Sequence, residues 1–321
     1  MQIAFFETHP WEEAQLKKTF KNHKLQFFSE TLNIKNVKEV SRAEIISVYI
    51  YSRVTKEILS QFSNLKFITT RSTGYDHIDL EICKKSDIFV SNVPSYGENT
   101  VAEHAFALIL ELSRRVTQTR IEILEKRKPL STISCFDLKG KTLGVIGTGK
   151  IGLSSIRIAK GFGMNVVAQD IYENKEAAKE LNFTYLSLNN LLKQSDIITL
   201  HVLLTDQTHH LLNKDTLKNL KKGAIIINTS RGPVIETKSL VQGLKSGNIA
   251  GIGLDVLENE ENIIDSDKKT TIEQKYLLEN KDVIYTPHSA FYSKESILRI
   301  LTTTIENLKA FLNKNPQNII K

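Results

Sequence analysis

The stretch Thr142-Leu-Gly-Val-Ile-Gly-Thr-Gly-Lys-Ile-Gly152 decides the fold of this 321-residue chain. It reads as a short apolar strand that turns through Gly147, Gly149 and Gly152 into a helix. Gly147 permits the tight turn, Gly149 lets the backbone approach a pyrophosphate, and Gly152 lets the helix pack closely on the strand. The helix N-terminus offers unpaired N–H groups to phosphate charge. Eighteen residues past Gly152, a second apolar run, Met164-Asn-Val-Val-Ala-Gln-Asp170, ends in an acid. Asp170 would accept hydrogen bonds from the adenosine ribose hydroxyls and repel a 2′-phosphate, which favours NAD over NADP. The same residues approach a phosphate-binding P-loop, from Gly144 through Gly149-Lys150. The next position in that motif is Ser or Thr, for magnesium; here it is Ile151, which argues against a nucleotide hydrolase or kinase. A glycine turn with no ligand is disfavoured by the strand before it, the helix after it and the acid closing the second strand.

The length suggests two domains with ample cores. No apolar run approaches the roughly 18 to 20 residues needed to span a bilayer. Met1 leads straight into a strand-like Gln2-Ile-Ala-Phe-Phe6, and no secretory signal is visible. Two cysteines, Cys83 and Cys135, cannot build a disulfide framework and lack partners at metal-ligand spacing, so no metal is expected and a cytoplasmic location is. The net charge of +7 is spread among interleaved acids, as in Leu16-Lys-Lys-Thr-Phe-Lys21, with no arginine-rich tract. It reads as a solvated face that draws in small anions, not as a nucleic-acid surface. No membrane partner is expected either.

Strands and helices alternate nearly throughout, which gives α/β architecture with parallel sheets. Five apolar runs, Gln2–Phe6, Leu25–Phe28, Ile45–Tyr51, Phe67–Thr70 and Ile88–Val93, form a first doubly wound unit. Thr100-Val-Ala-Glu103 reads as a capping box opening a long helix from Val101 to about Glu125, unusually apolar along Ala102–Leu112. Six strands follow, from Thr142 through Val166–Gln169, Ile197–Val202, Ala224–Asn228, Ile249–Val256 and Val283–Thr286. That is the count of a full dinucleotide-binding sheet. A last helix, Lys294 to about Asn313, is expected to return to the first unit. The expected domains are 1–99 with 290–321 for substrate, and 100–289 for the dinucleotide, with a cleft between them. The polar stretch Asn259 to Lys269 reads as a surface loop.

Ligands of doubly wound sheets sit beyond the carboxyl ends of the strands. Arg231 follows the strand Ala224–Asn228, Glu260 follows Ile252-Gly-Leu-Asp-Val-Leu257, and His288 ends Val283-Ile-Tyr-Thr-Pro-His288. An arginine can clamp a carboxylate with its planar fork. A histidine can donate a proton to a carbonyl oxygen as hydride arrives, and a neighbouring carboxylate favours its charged form. Together the three suit the reduction of a 2-oxo acid. From residue type alone Glu258 and Glu261 compete with Glu260. The adjacent His209 and His210 read as a loop, and the other histidines lack a metal-ligand pattern.

Seven segments then resemble the D-2-hydroxyacid dehydrogenase family. These are Thr142–Gly152, His201-Val-Leu-Leu-Thr205, Ile227-Asn-Thr-Ser-Arg-Gly232, Gly253-Leu-Asp-Val-Leu-Glu258 and Thr286-Pro-His288, with Thr70-Arg-Ser-Thr-Gly-Tyr-Asp-His-Ile-Asp79 and Val90-Ser-Asn-Val-Pro-Ser-Tyr96 earlier in the chain. They stand in the family's order over nearly the whole sequence, and the chain is most similar to the NAD-dependent D-lactate dehydrogenase branch.

The resemblance implies a Rossmann-like cofactor domain and a smaller flavodoxin-like, discontinuous substrate domain. It places the family's arginine on Arg231 and its proton-donating histidine on His288. The partner glutamate falls on Glu260, five residues past the nicotinamide-side Asp255, which selects it over Glu258 and Glu261. Cofactor contacts are implied for Gly147, Gly149, Lys150, Ile151, Gly152, Asp170, Val202, Thr208, Thr229, Ser230 and Asp255. The substrate carboxylate is implied to bind backbone N–H groups of Ser72-Thr73-Gly74, with Tyr51, Tyr96 and Tyr292 as aromatic walls that suit a methyl group. The helix 100–125 is implied to build a homodimer.

Two positions depart from the family. Leu203 stands where proline is common, and the stretch from Glu260 to His288 is longer than in phosphoglycerate or formate relatives, as in the lactate branch. Formate enzymes carry a neutral glutamine where this chain has Glu260. The expected activity is interconversion of pyruvate and D-lactate. A broader 2-oxo acid reductase is the runner-up, and an NAD-sensing regulator on the same fold is the alternative of another class.

Overall fold

The computed structural model describes residues 1–125, 134–264 and 268–320. The chain forms two compact units, Met1–Gly97 with Ser293–Lys321, and Glu98–Tyr292.

In the first unit β1 (Gln2–Phe5), β2 (Lys24–Phe27), β3 (Ile45–Val48), β4 (Phe67–Thr70) and β5 (Phe89–Ser91) form a sheet in the order β2-β1-β3-β4-β5. Every pairing is parallel. Parallel strands are covered on both faces, and β3 and β4 accordingly have no exposed position. Successive side chains take opposite faces. Ile3, Phe5, Ile45 and Phe67 meet Leu16 of the helix Pro10–Thr19 and Leu301 and Leu308 of the helix Lys294–Leu312. Ala4, Phe6, Ile46, Val48 and Ile68 pack on the other side with Val37, Val40, Leu59 and Cys83. The last helix thus completes the core of the first unit, with Ser293 capping its start and Asn313 its end. Three strands are shorter than their apolar runs: β1 stops one residue early at Phe5, β3 stops at Val48, so Tyr51 lies in a turn, and β5 covers only Phe89–Ser91.

The second sheet is built from β6 (Thr142–Ile146), β7 (Asn165–Gln169), β8 (Thr184–Tyr185), β9 (Ile197–Leu200), β10 (Ala224–Asn228), β11 (Ile249–Leu254) and β12 (Val283–Tyr285). Its order is β12-β11-β10-β9-β6-β7-β8, all parallel. Seven strands stand where six were expected. The addition, β8, is a two-residue edge strand pairing Thr184 with Val167, too short to register as an apolar run. The chain leaves β6 toward β7 on one side and later returns to lay β9 on the other. This switch point opens a crevice at the carboxyl ends of the strands.

The helix expected from Val101 to about Glu125 is two helices, Glu98–Arg114 and Val116–Leu124. It starts two residues before Thr100, which is therefore inside the first turn and caps nothing. Between the two, Arg115 adopts a left-handed backbone (φ 49°). Its guanidinium binds the Lys281 carbonyl at 3.1 Å and Asp282 at 2.7 Å, partners invisible to local sequence pattern. The apolar run Ala102–Leu112 is used within the unit itself. Leu108 and Leu112 press on glycines of β11, where a Cβ at Gly253 would lie 2.9 Å from Leu108 Cβ and one at Gly251 3.1 Å from Leu112. Truncating a leucine so enclosed costs about 2–5 kcal/mol. The polar stretch expected as a loop contains a helical turn at Glu261–Ile264, and its residues 265–267 lie outside those described. Among the described residues no helix is long and apolar enough to cross a membrane.

Candidate active site

The glycine turn leaves β6 and enters the helix Lys150–Gly161 at Gly149. Gly147 has φ +91°, and a Cβ there would lie 2.6 Å from the His201 carbonyl oxygen. A Cβ on Gly152 would collide with the Gly147 carbonyl, so helix and turn can approach only through glycine. Gly149 differs: nothing lies within 4 Å of where its Cβ would be. Open space beside a helix N-terminus of twelve residues is what a pyrophosphate needs, so the residues present fit a dinucleotide.

Asp170 sits just past β7 and turns back on this loop. One carboxylate oxygen accepts from the Thr148 amide at 2.6 Å and the Thr148 hydroxyl at 3.0 Å, and the other from the Tyr172 amide at 3.0 Å. Burial opposes its charge, but the bonds from the Tyr172 amide and from Thr148 outweigh that and hold the carboxyl below the usual range. Asp170 therefore stiffens the glycine turn while keeping a negative charge at the end of β7. The Thr148 hydroxyl also meets Tyr185 at 2.8 Å, tying the unforeseen strand β8 to the turn.

The remaining cofactor candidates are spread around the same strand ends. Lys150 is exposed and pairs with Glu98 at 3.3 Å, and Ile151 follows it, half-buried, in the first turn of the helix. Val202 is half-buried just past β9, and the Thr208 hydroxyl folds the next turn by donating to the Leu203 carbonyl at 2.5 Å. After β10, Ser230 donates to the Asn228 side chain at 2.7 Å, while the buried Thr229 hydroxyl has no partner among the described residues.

Arg231, Glu260 and His288 follow three adjacent strands, β10, β11 and β12. Arg231 is half-buried in extended backbone; its guanidinium donates to the Ser230 carbonyl at 2.8 Å, and its own carbonyl accepts from Asn228 at 2.9 Å. Glu260 Oε1 lies 2.7 Å from His288 Nδ1, both side chains mostly buried at 19% and 15% exposure. Glu258, the rival two residues earlier, faces elsewhere, toward His210 Nε2 at 2.6 Å and the Thr237 amide at 2.6 Å.

Asp255 explains how the His288 loop is held. Its carboxylate, 1% exposed, accepts from the Thr286 hydroxyl at 2.6 Å and from the amides of Ser289 and Ala290, each at 2.8 Å. Its carbonyl accepts the His288 amide at 2.8 Å, and His104 backs the set through Thr286 at 2.9 Å. Expected only as a cofactor contact, Asp255 also anchors the segment bearing the histidine. Neither Thr286 nor His104 was found from sequence, because their partners come from separate elements. Tyr292, at the end of this unit, is 55% exposed and packs edge-on against Phe291.

In the first unit the loop after β4 has a geometry suited to an anion. The Thr73 carbonyl accepts from Asn92 Nδ2 at 2.8 Å and the Gly74 carbonyl from the Ser72 hydroxyl at 2.6 Å. A trans peptide points its N–H opposite its C=O, so the Gly74 and Tyr75 amides are aimed away from those donors. The Thr73 hydroxyl is fixed on the Val93 carbonyl at 2.9 Å. Tyr51 is held through its amide by Glu7 at 3.3 Å, and the Tyr96 carbonyl accepts from Arg299.

Comparison with known proteins identifies the family. Residues 106–290 match the family model "D-isomer specific 2-hydroxyacid dehydrogenase, NAD binding domain". The chain is 34% identical over 316 residues to a D-lactate dehydrogenase of Escherichia coli, covering 96% of each. It is 36% identical over 273 residues to an aromatic 2-oxoacid reductase of Clostridium sporogenes, covering 83% of this chain and 82% of that one. A solved D-lactate dehydrogenase from Aquifex aeolicus, complexed with NAD and lactic acid, superposes with a TM-score of 0.91 at 37% identity, covering 98% and 96% of the two chains. The chain belongs to the D-isomer-specific 2-hydroxyacid dehydrogenase family and is an NAD-dependent oxidoreductase.

Proposed function

We propose that this enzyme interconverts pyruvate and D-lactate, with His288 as acid and base. The observation that carries the mechanism is the His288–Glu260 contact of 2.7 Å at the carboxyl end of the second sheet. Bound NADH supplies the hydride. Glu260 holds Nδ1, so the proton given to the carbonyl oxygen leaves from Nε2. Arg231 binds the substrate carboxylate, and the amides of the Thr73–Gly74 loop are assigned to the same group. Asp255 keeps the His288 loop in register and is assigned to the cofactor. Lys150, Ile151, Val202, Thr208, Thr229 and Ser230 are assigned to the cofactor with the glycine turn and Asp170. Tyr51, Tyr96 and Tyr292 are assigned to the substrate side chain, where bulky rings favour a methyl group. The unit Glu98–Tyr292 is read as the dinucleotide domain and the other as the substrate domain.

A second reading, a broader 2-oxo acid reductase, is favoured by the likeness to the aromatic 2-oxoacid reductase. A substrate panel with NADH separates the two. Pyruvate should exceed hydroxypyruvate, glyoxylate, 2-oxoisocaproate and phenylpyruvate in kcat/KM by about 10-fold, the scale set by one or two methylenes in a pocket. NADH should exceed NADPH by a similar factor because Asp170 keeps its charge. Phenylpyruvate in first place would transfer the assignment to the second reading.

The helix Val116–Leu124 buries no residue and exposes Val116, Ile121, Ile123 and Leu124. Such a face supports a homodimer. Cys83 and Cys135 are both free thiols, in keeping with a cytoplasmic site of action.

A further inference from the structure

We infer that Glu7 and Arg71, with Glu12, are positioning residues that set the substrate pocket by locking three strand ends of the first sheet together. The inference rests on the reading that the Thr73–Gly74 loop binds the substrate carboxylate. The three strands are neighbours, β1, β3 and β4, and their carboxyl ends continue into Phe6-Glu7, Tyr49–Ser52 and Arg71–Gly74.

Glu7 adopts a left-handed backbone, φ 54°, rare for a residue with a Cβ. Its carboxylate serves as the hub of the loop after β3. Oε2 accepts from the Tyr49 amide at 3.0 Å and from the Ser52 hydroxyl, and Oε1 accepts from the Tyr51 amide at 3.3 Å. Ser52 in turn accepts the Leu32 amide at 2.9 Å. Burial pushes the Glu7 carboxyl above its ordinary range, although the Ser52 hydroxyl, Arg71 and the two amides oppose this.

Arg71 joins that hub to the anion loop. It is the residue immediately before Ser72, and its side chain is fully buried. Its guanidinium pairs with Glu12 at 2.9 Å, donates to the Phe6 and Glu7 carbonyls, and lies over the Tyr49 ring at 4.2 Å. Glu12 also accepts the His9 amide at 2.8 Å, so the helix Pro10–Thr19 is fixed to the same group. Buried ion pairs are poor sources of stability compared with apolar packing, but they tolerate little displacement. Here the two loops they fix are the Tyr51 turn and the Thr73–Gly74 loop. The physical consequence is a pocket wall set by charges that never meet the substrate.

The test is steady-state reduction of pyruvate by Glu7→Ala, Glu7→Gln and the paired variant Arg71→Met with Glu12→Leu, which leaves no lone buried charge. NADH affinity from fluorescence titration and the melting temperature are measured beside it. Glu7→Ala and the paired variant should raise KM for pyruvate about 10-fold, with NADH affinity unchanged within about 2-fold. Glu7→Gln, which keeps an acceptor, should recover most of the loss. A lowered melting temperature with KM unmoved would mean a structural role only and overturn the inference. Should the paired variant not fold, the two Glu7 variants decide alone. Gly74→Pro deletes one loop amide and serves as the control. If it raises KM while Glu7→Ala does not, the inference fails and the carboxylate-loop reading stands. If it leaves KM unmoved, the loop reading fails and takes the inference with it.

Discussion

Two histidine–carboxylate pairs flank the turn after β11, and they are alike in nearly every local feature. His210 pairs with Glu258 at 2.6 Å, and His288 with Glu260 at 2.7 Å. Both histidines have the same left-handed backbone, φ 49°. They differ in which ring nitrogen is used and in what else the carboxylate holds. His210 gives Nε2, the tip of its ring, to Glu258, so that atom is already engaged by a carboxylate. His288 gives Nδ1, and the tip of its ring, Nε2, is the atom proposed to give the proton. Glu258 also caps the helix Thr237–Ser246 through the Thr237 amide at 2.6 Å, whereas among the described residues the second oxygen of Glu260 makes a single long contact of 3.3 Å, with the Leu257 amide. The first pair fastens a helix; the second is the pair proposed to pass a proton.

The largest effect should come from deleting the histidines one at a time. His288→Ala removes the proposed proton donor and should lower kcat about 100-fold or more, with NADH binding nearly intact. His210→Ala should leave kcat within about 3-fold and lower the melting temperature instead. Equal losses of kcat in the two variants would break the comparison.

This contrast also marks what residue types reveal. The glycine turn was legible because its demands are absolute: φ +91° at Gly147 and no room for a Cβ at Gly147 or Gly152 admit no other residue. The strand-end positions of Arg231 and His288 were legible from apolar runs and their boundaries. The choice among Glu258, Glu260 and Glu261 was not, because the direction of a side chain in a turn is set by partners far along the chain. Glu260 was selected only by its spacing from Asp255, through the family resemblance. The break at Arg115 and the Arg71–Glu12 pair were missed for the same reason, whereas the two residues of β8 leave no apolar run to read. Arg115 answers to Asp282 and Arg71 to Glu12, at separations of 167 and 59 residues that no periodicity spans.

His201 extends the comparison to a histidine with hydroxyl partners in place of a carboxylate. Its Nε2 meets Ser155 at 3.0 Å and Thr199 at 3.1 Å, and its Nδ1 is buried without a partner among the described residues. Burial lowers its pKa from the ordinary 6.5 to about 4, so the ring folds neutral. The unfolded chain takes up this proton below pH 6.5 and the folded chain only near pH 4, so stability falls as pH falls through that window. The loss by pH 4.5 should be about 2 kcal/mol. His201→Gln stays neutral throughout. In urea unfolding its deficit relative to the parent should shrink by about that amount between pH 7 and 4.5. Parallel curves would show that His201 is protonated in the fold.

The smallest effect, and the sharpest, separates the two acids. Glu260→Gln keeps a hydrogen bond to His288 Nδ1 but removes the negative charge beside the ring. kcat for pyruvate reduction should therefore fall by about 10-fold, less than in His288→Ala. Glu258→Gln should leave kcat in place. Its effect belongs to stability. Burial works against the Glu258 charge, but hydrogen bonds from Thr237 and His210 hold the carboxyl below the ordinary 4.5. A lowered carboxyl pKa contributes stability above about pH 4.5, and that contribution disappears as pH falls through the folded value. The deficit of Glu258→Gln should thus be full at pH 7 and shrink below about pH 4.5, a more acidic window than that of His201. If Glu258→Gln lowers kcat and Glu260→Gln does not, the two pairs have been assigned the wrong way round, and the proton must pass through His210.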